Sequence, residues 1–193
     1  MNYANIKYND IANGEGVRTS LFVSGCSHHC KNCFNPETWN FDYGKKFTEE
    51  TQNEIIKSCE PSYINGLTLL GGEPMEIVNQ KGLLDFVKKF KDTYPQKTIW
   101  CYSGFLIDDI MNYDFPYDQN EFLQPLTNSA RCHCEITKEL LSHIDILVDG
   151  EFINDLKDIT LRFKGSRNQR IIDVQKTLKE NKIILSEYNK KRN

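Results

Sequence analysis

The chain has no apolar run long enough to span a bilayer. Its first residues, Met1-Asn2-Tyr3-Ala4-Asn5, hold no basic stretch followed by an apolar one, so no secretory leader is read there. These two absences predict a cytoplasmic protein that does not enter a membrane. Positive charge is not in excess: 24 Lys and Arg stand against 27 Asp and Glu, for a net charge of −3. The electrostatic footprint of a nucleic-acid binder is therefore missing. No internal repeat or low-complexity tract stands out. What is left is an ordinary globular composition over 193 residues, enough for one domain with a sizeable core.

Cysteine breaks that ordinariness. Of seven, three lie in Gly25-Cys26-Ser27-His28-His29-Cys30-Lys31-Asn32-Cys33-Phe34-Asn35, spaced C-x3-C-x2-C. Where thiols stay reduced, clustered cysteines mean metal or catalysis rather than disulfides. Three so close together cannot all reach bridging geometry. Thiolates are the usual ligands of iron–sulfur clusters, and a four-iron cluster held by three thiolates leaves one iron open to a small molecule. The alternative is a structural zinc site completed by His28 or His29, or by Cys132-His133-Cys134. The single short loop and the lack of a second pair of matching spacing favour iron–sulfur. The two histidines are then expected on the loop surface. Cys59 and Cys101 read as structural thiols, and Cys132 and Cys134 as reduced thiols in a surface insertion.

The order of patterns predicts repeated βα units. Thr19–Val23, Gly66–Leu70, Lys97–Tyr102 and Ile144–Val148 read as buried strands, and Ile159–Phe163 as a candidate fifth. Helices are predicted after Thr48, an N-cap candidate, through Leu83–Phe90, over Leu106–Met111 and over Glu135–Leu141. Residues 112 to 134 lack a period and read as a long surface insertion. The end, Lys190-Lys191-Arg192, reads as a frayed basic tail. The cysteine loop, Gly71-Gly72-Glu73-Pro74, Ser103-Gly104-Phe105 and Asp149-Gly150 each follow a strand. In parallel α/β sheets that rim is the active one. Trp39, Phe41 and Trp100 read as packing aromatics.

The cysteine triad, followed by Gly71-Gly72-Glu73-Pro74, resembles the radical S-adenosylmethionine superfamily. Further stretches narrow the resemblance: Asn13-Gly14-x-Gly16-x-Arg18, Cys33-Phe34-Asn35, Thr38-Trp39, Trp100-x-Tyr102-Ser103-Gly104-Phe105, Val148-Asp149-Gly150 and Gly165-Ser166-Arg167-Asn168-Gln169. Together they resemble the activating proteins of anaerobic ribonucleoside-triphosphate reductase, over about residues 1 to 173. The last stretch separates them from activators of pyruvate formate-lyase.

The resemblance implies an α/β fold, an open partial (βα) barrel of parallel strands. It implies a [4Fe-4S] cluster on Cys26, Cys30 and Cys33, with S-adenosylmethionine on the open iron. Asn32, Cys33 and Phe34 would run along the nucleotide, and the backbone of Gly71 and Gly72 would hold the methionyl amine. No catalytic side chain is implied beyond the cluster and that site. The implied partners are the large subunit of the reductase, whose backbone glycine would lose a hydrogen, and a flavodoxin-type electron donor. Residues 1–173 would form the activating domain and 174–193 a C-terminal extension; the insertion at about 112–134 exceeds shorter family members, and its expected exposure makes partner docking a hypothesis for it. An activator of another glycyl-radical enzyme, such as pyruvate formate-lyase, and a non-catalytic zinc-binding interaction module are the alternatives. Many superfamily members place an aromatic residue before the third cysteine; here Asn32 stands there and the aromatic, Phe34, follows.

Overall fold

A computed structural model describes residues 1–112 and 129–189. Among these residues, seven strands form one open sheet in the order β3-β1-β2-β4-β5-β6-β7. The central four are β2 (Val17–Val23), β4 (Ile64–Gly71), β5 (Thr98–Tyr102) and β6 (Ile146–Asp149), and all run parallel. The edges are antiparallel: β1 (Asn2–Asp10) and the two-residue β3 (Lys45–Lys46) on one side, β7 (Arg170–Asp173) on the other. The sheet is therefore mixed and not closed.

The centre is parallel because helices return the chain between strands. These are α1 (Glu49–Ser58), α2 (Ile77–Thr93), α3 (Ile107–Met111), α4 (Ser129–Cys132) and α5 (Thr137–Ser142), with α6 (Val174–Glu180) after β7. Thr48 caps α1 as expected, its hydroxyl accepting from Thr51 N at 3.3 Å. Alternate strand residues face opposite sides of a sheet. Leu67, Leu69, Ile99, Cys101 and Leu147 join Ile55, Leu83, Phe86 and Leu140 in one large core under the helices. Trp100, Ile146, Val148 and Ile171 point the other way and gather Tyr102, Phe163 and Tyr188. Helices thus cover one face, while this second face carries a small aromatic cluster and, above it, the site.

Arg18 is buried beneath that site, 1% exposed. Its guanidinium donates to Thr68 Oγ1 (2.8 Å), Leu67 O (2.8 Å) and Thr98 O (2.7 Å), and it lies 5.6 Å from the Trp100 ring centre. Burial pulls its pKa down to about 10, and the bonds to carbonyl and hydroxyl oxygens are what make a charge tolerable there.

Three expectations are corrected. Ile159–Phe163 is a run of turns and bends, not a strand. Its alternation is real, but an antiparallel bridge between Lys157 and Ser166 closes the segment into a loop, and Ile159, in the turn closed by Leu161 N donating to Asp158 O, is 84% exposed. Cys132 is not a surface thiol: it ends α4 and is fully buried in the main core. Nor is His28 on the loop surface, since its side chain is 6% exposed. The partner-docking role given to the insertion falls largely on residues 113–128, outside the described residues, as does the basic end at 190–193. Val174, where the expected extension begins, is fully buried in the main core. No helix among the described residues is long and apolar enough to cross a membrane.

Candidate functional site

The parallel centre sends the ends of β2, β4, β5 and β6 to one rim, and a cavity of about 490 Å³ opens there. Cys26, Cys30 and Cys33 line it together with Gly71, Gly72, Tyr102, Gly104 and Gly150. The expected convergence of strand-end turns is therefore present.

The cysteine loop is stitched to its neighbours through backbone. Gly25 N donates to Thr38 O (2.8 Å) and Cys26 N to Trp39 O (3.3 Å), within the short 3₁₀ turn Pro36–Trp39. Gly72 N donates to Val23 O (2.8 Å) and Glu73 N to Gly25 O (2.8 Å). Both glycines are needed for this closeness. Gly71 has φ +110°, a left-handed backbone that side chains disfavour, and a Cβ on Gly72 would lie 2.7 Å from Gly25 O. From α2, Asn79 donates to Ser24 O (3.0 Å) and Glu73 O (2.9 Å), clamping both turns.

Glu73 ties the rim together. It is 1% exposed. One oxygen accepts from Met75 N (2.8 Å); the other accepts from Gly104 N (2.6 Å), at the end of β5. That second oxygen also lies 3.2 Å from His28 Nε2 in the cysteine loop. Burial opposes a charged imidazole, but the Glu73 carboxylate outweighs it and raises the His28 pKa. This nitrogen, the rival zinc ligand, is thus engaged by a carboxylate, and the ring packs on Phe105 at 4.3 Å. His29 is exposed and lies against Trp39, 4.7 Å between ring centres.

Do these residues fit an iron–sulfur cluster? All three thiols are free and face one cavity. Among the described residues, no three His, Cys, Asp or Glu side chains are grouped to hold a metal ion. A lone zinc needs its thiolates at about 2.3 Å from one point. A four-iron cluster binds each thiolate at a different iron, so its ligands need not converge on one point, and Cys26, Cys30 and Cys33 line one cavity. The donor set fits. Burial and the nearby Glu73 push the Cys26 thiol up to about 12, and burial with Glu151 does the same to Cys30. These thiols are protonated without metal, and iron must displace the protons to bind.

The opposite wall is the strap of residues 150–169. Asn168 donates to Glu151 O (2.8 Å) and Gln169 to Gly150 O (2.9 Å). The Gln169 side-chain oxygen accepts from Gly165 N (2.8 Å) and Ser166 N (3.1 Å). Gly165-Ser166-Arg167-Asn168-Gln169 is thus the buckle of this strap. Asn32, expected along the nucleotide, turns its amide to Asn154 Oδ1 in the strap at 3.0 Å and joins the two walls. Phe34 lines the cavity, as do Gly71 and Gly72.

Sequence reasoning did not single out several residues here. Asn79 and Gln80 are polar positions on the buried side of α2, a mismatch visible in its amphipathic pattern. Trp39, read from the sequence as a packing aromatic, and Tyr102, quoted there only within a motif, both line the cavity and carry a buried donor, the indole N–H and the phenol, with no partner among the described residues. Native interiors seldom leave such groups unpaired, so each marks a place for a ligand atom or a water.

Comparison with known proteins agrees with this geometry. Residues 12–172 match the model of a 4Fe-4S single cluster domain. The chain is 36% identical over 173 residues to a protein of Haemophilus influenzae, covering 89% of this chain and 97% of the relative. It is 34% identical over 171 residues to a protein of Escherichia coli, covering 88% and 96%, and 34% identical to one of phage T4, covering 89% and 93%. Each of these relatives is named an anaerobic ribonucleoside-triphosphate reductase-activating protein. A three-thiol cavity wall, a 4Fe-4S domain match over most of the chain and full-length likeness to these proteins lead to one assignment: the chain belongs to the anaerobic ribonucleoside-triphosphate reductase-activating protein family.

Proposed function

We propose that the chain activates an anaerobic ribonucleoside-triphosphate reductase as a radical S-adenosylmethionine enzyme, on the open face of a partial βα barrel. The observation that carries this reading is the placing of Cys26, Cys30, Cys33 and the glycine pair Gly71-Gly72 on one cavity. A [4Fe-4S] cluster on the three thiolates, with S-adenosylmethionine on its open iron, would supply the reductive cleavage that yields methionine and a 5′-deoxyadenosyl radical, which takes hydrogen from a backbone glycine of the reductase large subunit.

The chain's own residues serve this in three ways. The Cys26–Cys33 loop presents the thiolates from a wall fixed by backbone bonds and by Asn79. Gly71 and Gly72 leave backbone, not side chain, facing the methionyl end of the ligand. Glu73 holds the Gly104 turn and His28 at set distances, so the cavity shape exists before the ligand arrives; such preorganisation is what orienting a reactive fragment requires. A flavodoxin-type protein is the electron donor in this reading, and the cytoplasm its place of action.

The test is electron paramagnetic resonance of anaerobically reduced protein, with and without S-adenosylmethionine. A cluster signal that changes on adding the ligand is expected, followed by a glycyl-radical signal in the ribonucleotide reductase and none in pyruvate formate-lyase. A signal indifferent to S-adenosylmethionine, or zinc in place of iron and sulfide, would sink the reading.

A further inference from the structure

Tyr102 is the last residue of β5 and lines the cavity. Its ring packs against the apolar cluster of Trp100, Ile146, Val148 and Ile171. Its phenolic oxygen is buried with no hydrogen-bond partner among the described residues. The charged groups that act on it across space are Arg18 and Asp10. Arg18 offers only donors, and they are engaged by Thr68, Leu67 O, Thr98 O and Glu15 O. The Asp10 carboxylate already accepts from Lys7, Ala12, Asn13 and Ser20. Burial raises the phenol pKa above its ordinary value, so the group keeps its proton and stays a donor. A buried hydroxyl without a partner weakens a fold. Here that weakness is built into the wall of the functional cavity.

Sheet order tells which part of a ligand meets this donor. The ends of the parallel strands follow one another across the rim as β2, β4, β5 and β6. The cysteine loop leaves β2, and Gly71 ends β4 with Gly72 next. In the activating role proposed above, the cluster and the methionyl end of S-adenosylmethionine take those two strand ends. The rest of the ligand then extends over the next, β5, where Tyr102 stands. We propose that the Tyr102 phenol donates a hydrogen bond to a polar atom of the nucleoside half of S-adenosylmethionine and is a specificity-determining residue of the site. This rests on that activating role. A cavity whose buried donor is paired only by the right ligand discriminates against molecules without the matching acceptor.

The experiment compares the full-length chain with Tyr102→Phe, which removes one oxygen and keeps the ring. Cluster-loaded protein is titrated anaerobically, without reductant, with S-adenosylmethionine and separately with 5′-deoxyadenosine. The variant should bind both about tenfold more weakly, with the iron and sulfide content of the parent. Urea unfolding of the ligand-free chain gives a second readout. There the substitution removes an unpaired hydroxyl, so the midpoint should equal or exceed that of the parent. A variant that binds S-adenosylmethionine within about twofold of the parent overturns the assignment. So does a lower ligand-free midpoint, which would mean that the hydroxyl serves the fold. Weaker binding of S-adenosylmethionine with unchanged binding of 5′-deoxyadenosine would move the contact to the methionyl half and overturn it as well. If the parent itself does not bind S-adenosylmethionine, the activating role falls and the contact falls with it.

Discussion

The two walls of the cavity are built differently. The cysteine wall is held to the sheet by backbone bonds at Gly25, Cys26, Gly72 and Glu73, clamped from behind by Asn79. The strap wall hangs on side-chain amides, chiefly Asn168 and Gln169, and on one aromatic anchor. Backbone bonding of the first kind is indifferent to most side-chain changes. Amide buckling of the second depends on two or three particular residues. The contrast is one of tolerance: the first wall withstands most side-chain changes, while the second can be retuned by small ones.

That contrast can be broken at several points. The largest effect is expected on the cysteine wall. Cys30→Ser should abolish activation and drop the iron and sulfide content of anaerobically purified protein by most of its value, with the fold retained in circular dichroism. Retention of a full cluster would contradict the assigned ligands. Next comes Glu73→Ala. It leaves Met75 N and Gly104 N without their acceptor in a buried place and should cost about 3 kcal/mol of stability, read from denaturant unfolding. Glu73→Gln keeps one acceptor and should cost less.

On the strap, Gln169→Leu should cost about 2 kcal/mol. It should also speed proteolytic cutting within residues 157–164 and leave cluster content alone. Equal protease resistance would mean that the buckle is not where the strap is held. The smallest effect concerns the segment behind Ile11. Asp10 accepts from Lys7 Nζ (2.8 Å), Ala12 N (3.0 Å), Asn13 Nδ2 (2.6 Å) and Ser20 Oγ (2.7 Å). Burial alone would raise its pKa, but these donors outweigh burial and bring it down to about 2. A lowered folded-state pKa means stability that is present above the ordinary value of about 3.9 and lost as pH falls toward 2. The melting temperature of the parent should therefore fall through that window more steeply than that of Asp10→Asn. Parallel curves would deny Asp10 this role.

The two walls also differed in how legible they were. Cys26, Cys30 and Cys33 announce themselves because thiol chemistry is carried by residue type and spacing alone. The glycine turns followed from strand order, and the four parallel strands from continuous apolar runs, which burial on both faces produces. The strap could not be read this way. Ile159-Thr-Leu-Arg-Phe163 alternates like a strand, yet it is folded back on itself by a bridge from Lys157 to Ser166 and by backbone hydrogen bonds to the Gln169 side chain, which no alternation records. β1 escaped notice for a related reason. As a strand between the sheet and its edge it buries few residues, so Asn2–Asp10 shows no apolar period. Cys132 was misplaced because the aperiodic residues before it hid a short helix that enters the core. His28 went astray because its burial depends on a carboxylate 45 positions later, Glu73.

The bonds of Glu73 to Met75 and Gly104, of Asn79 to the two turns and of Gln169 to the strap contain no thiol. If the cavity holds the proposed cluster, oxygen that strips iron and sulfide from it removes the contents and not the container. A chain damaged in this way keeps an ordered receptacle, whose three cysteine sulfurs stand on one side once a reductant has returned them to thiols. Rebuilding it should need only the inorganic parts and an electron source, without passage through an unfolded state.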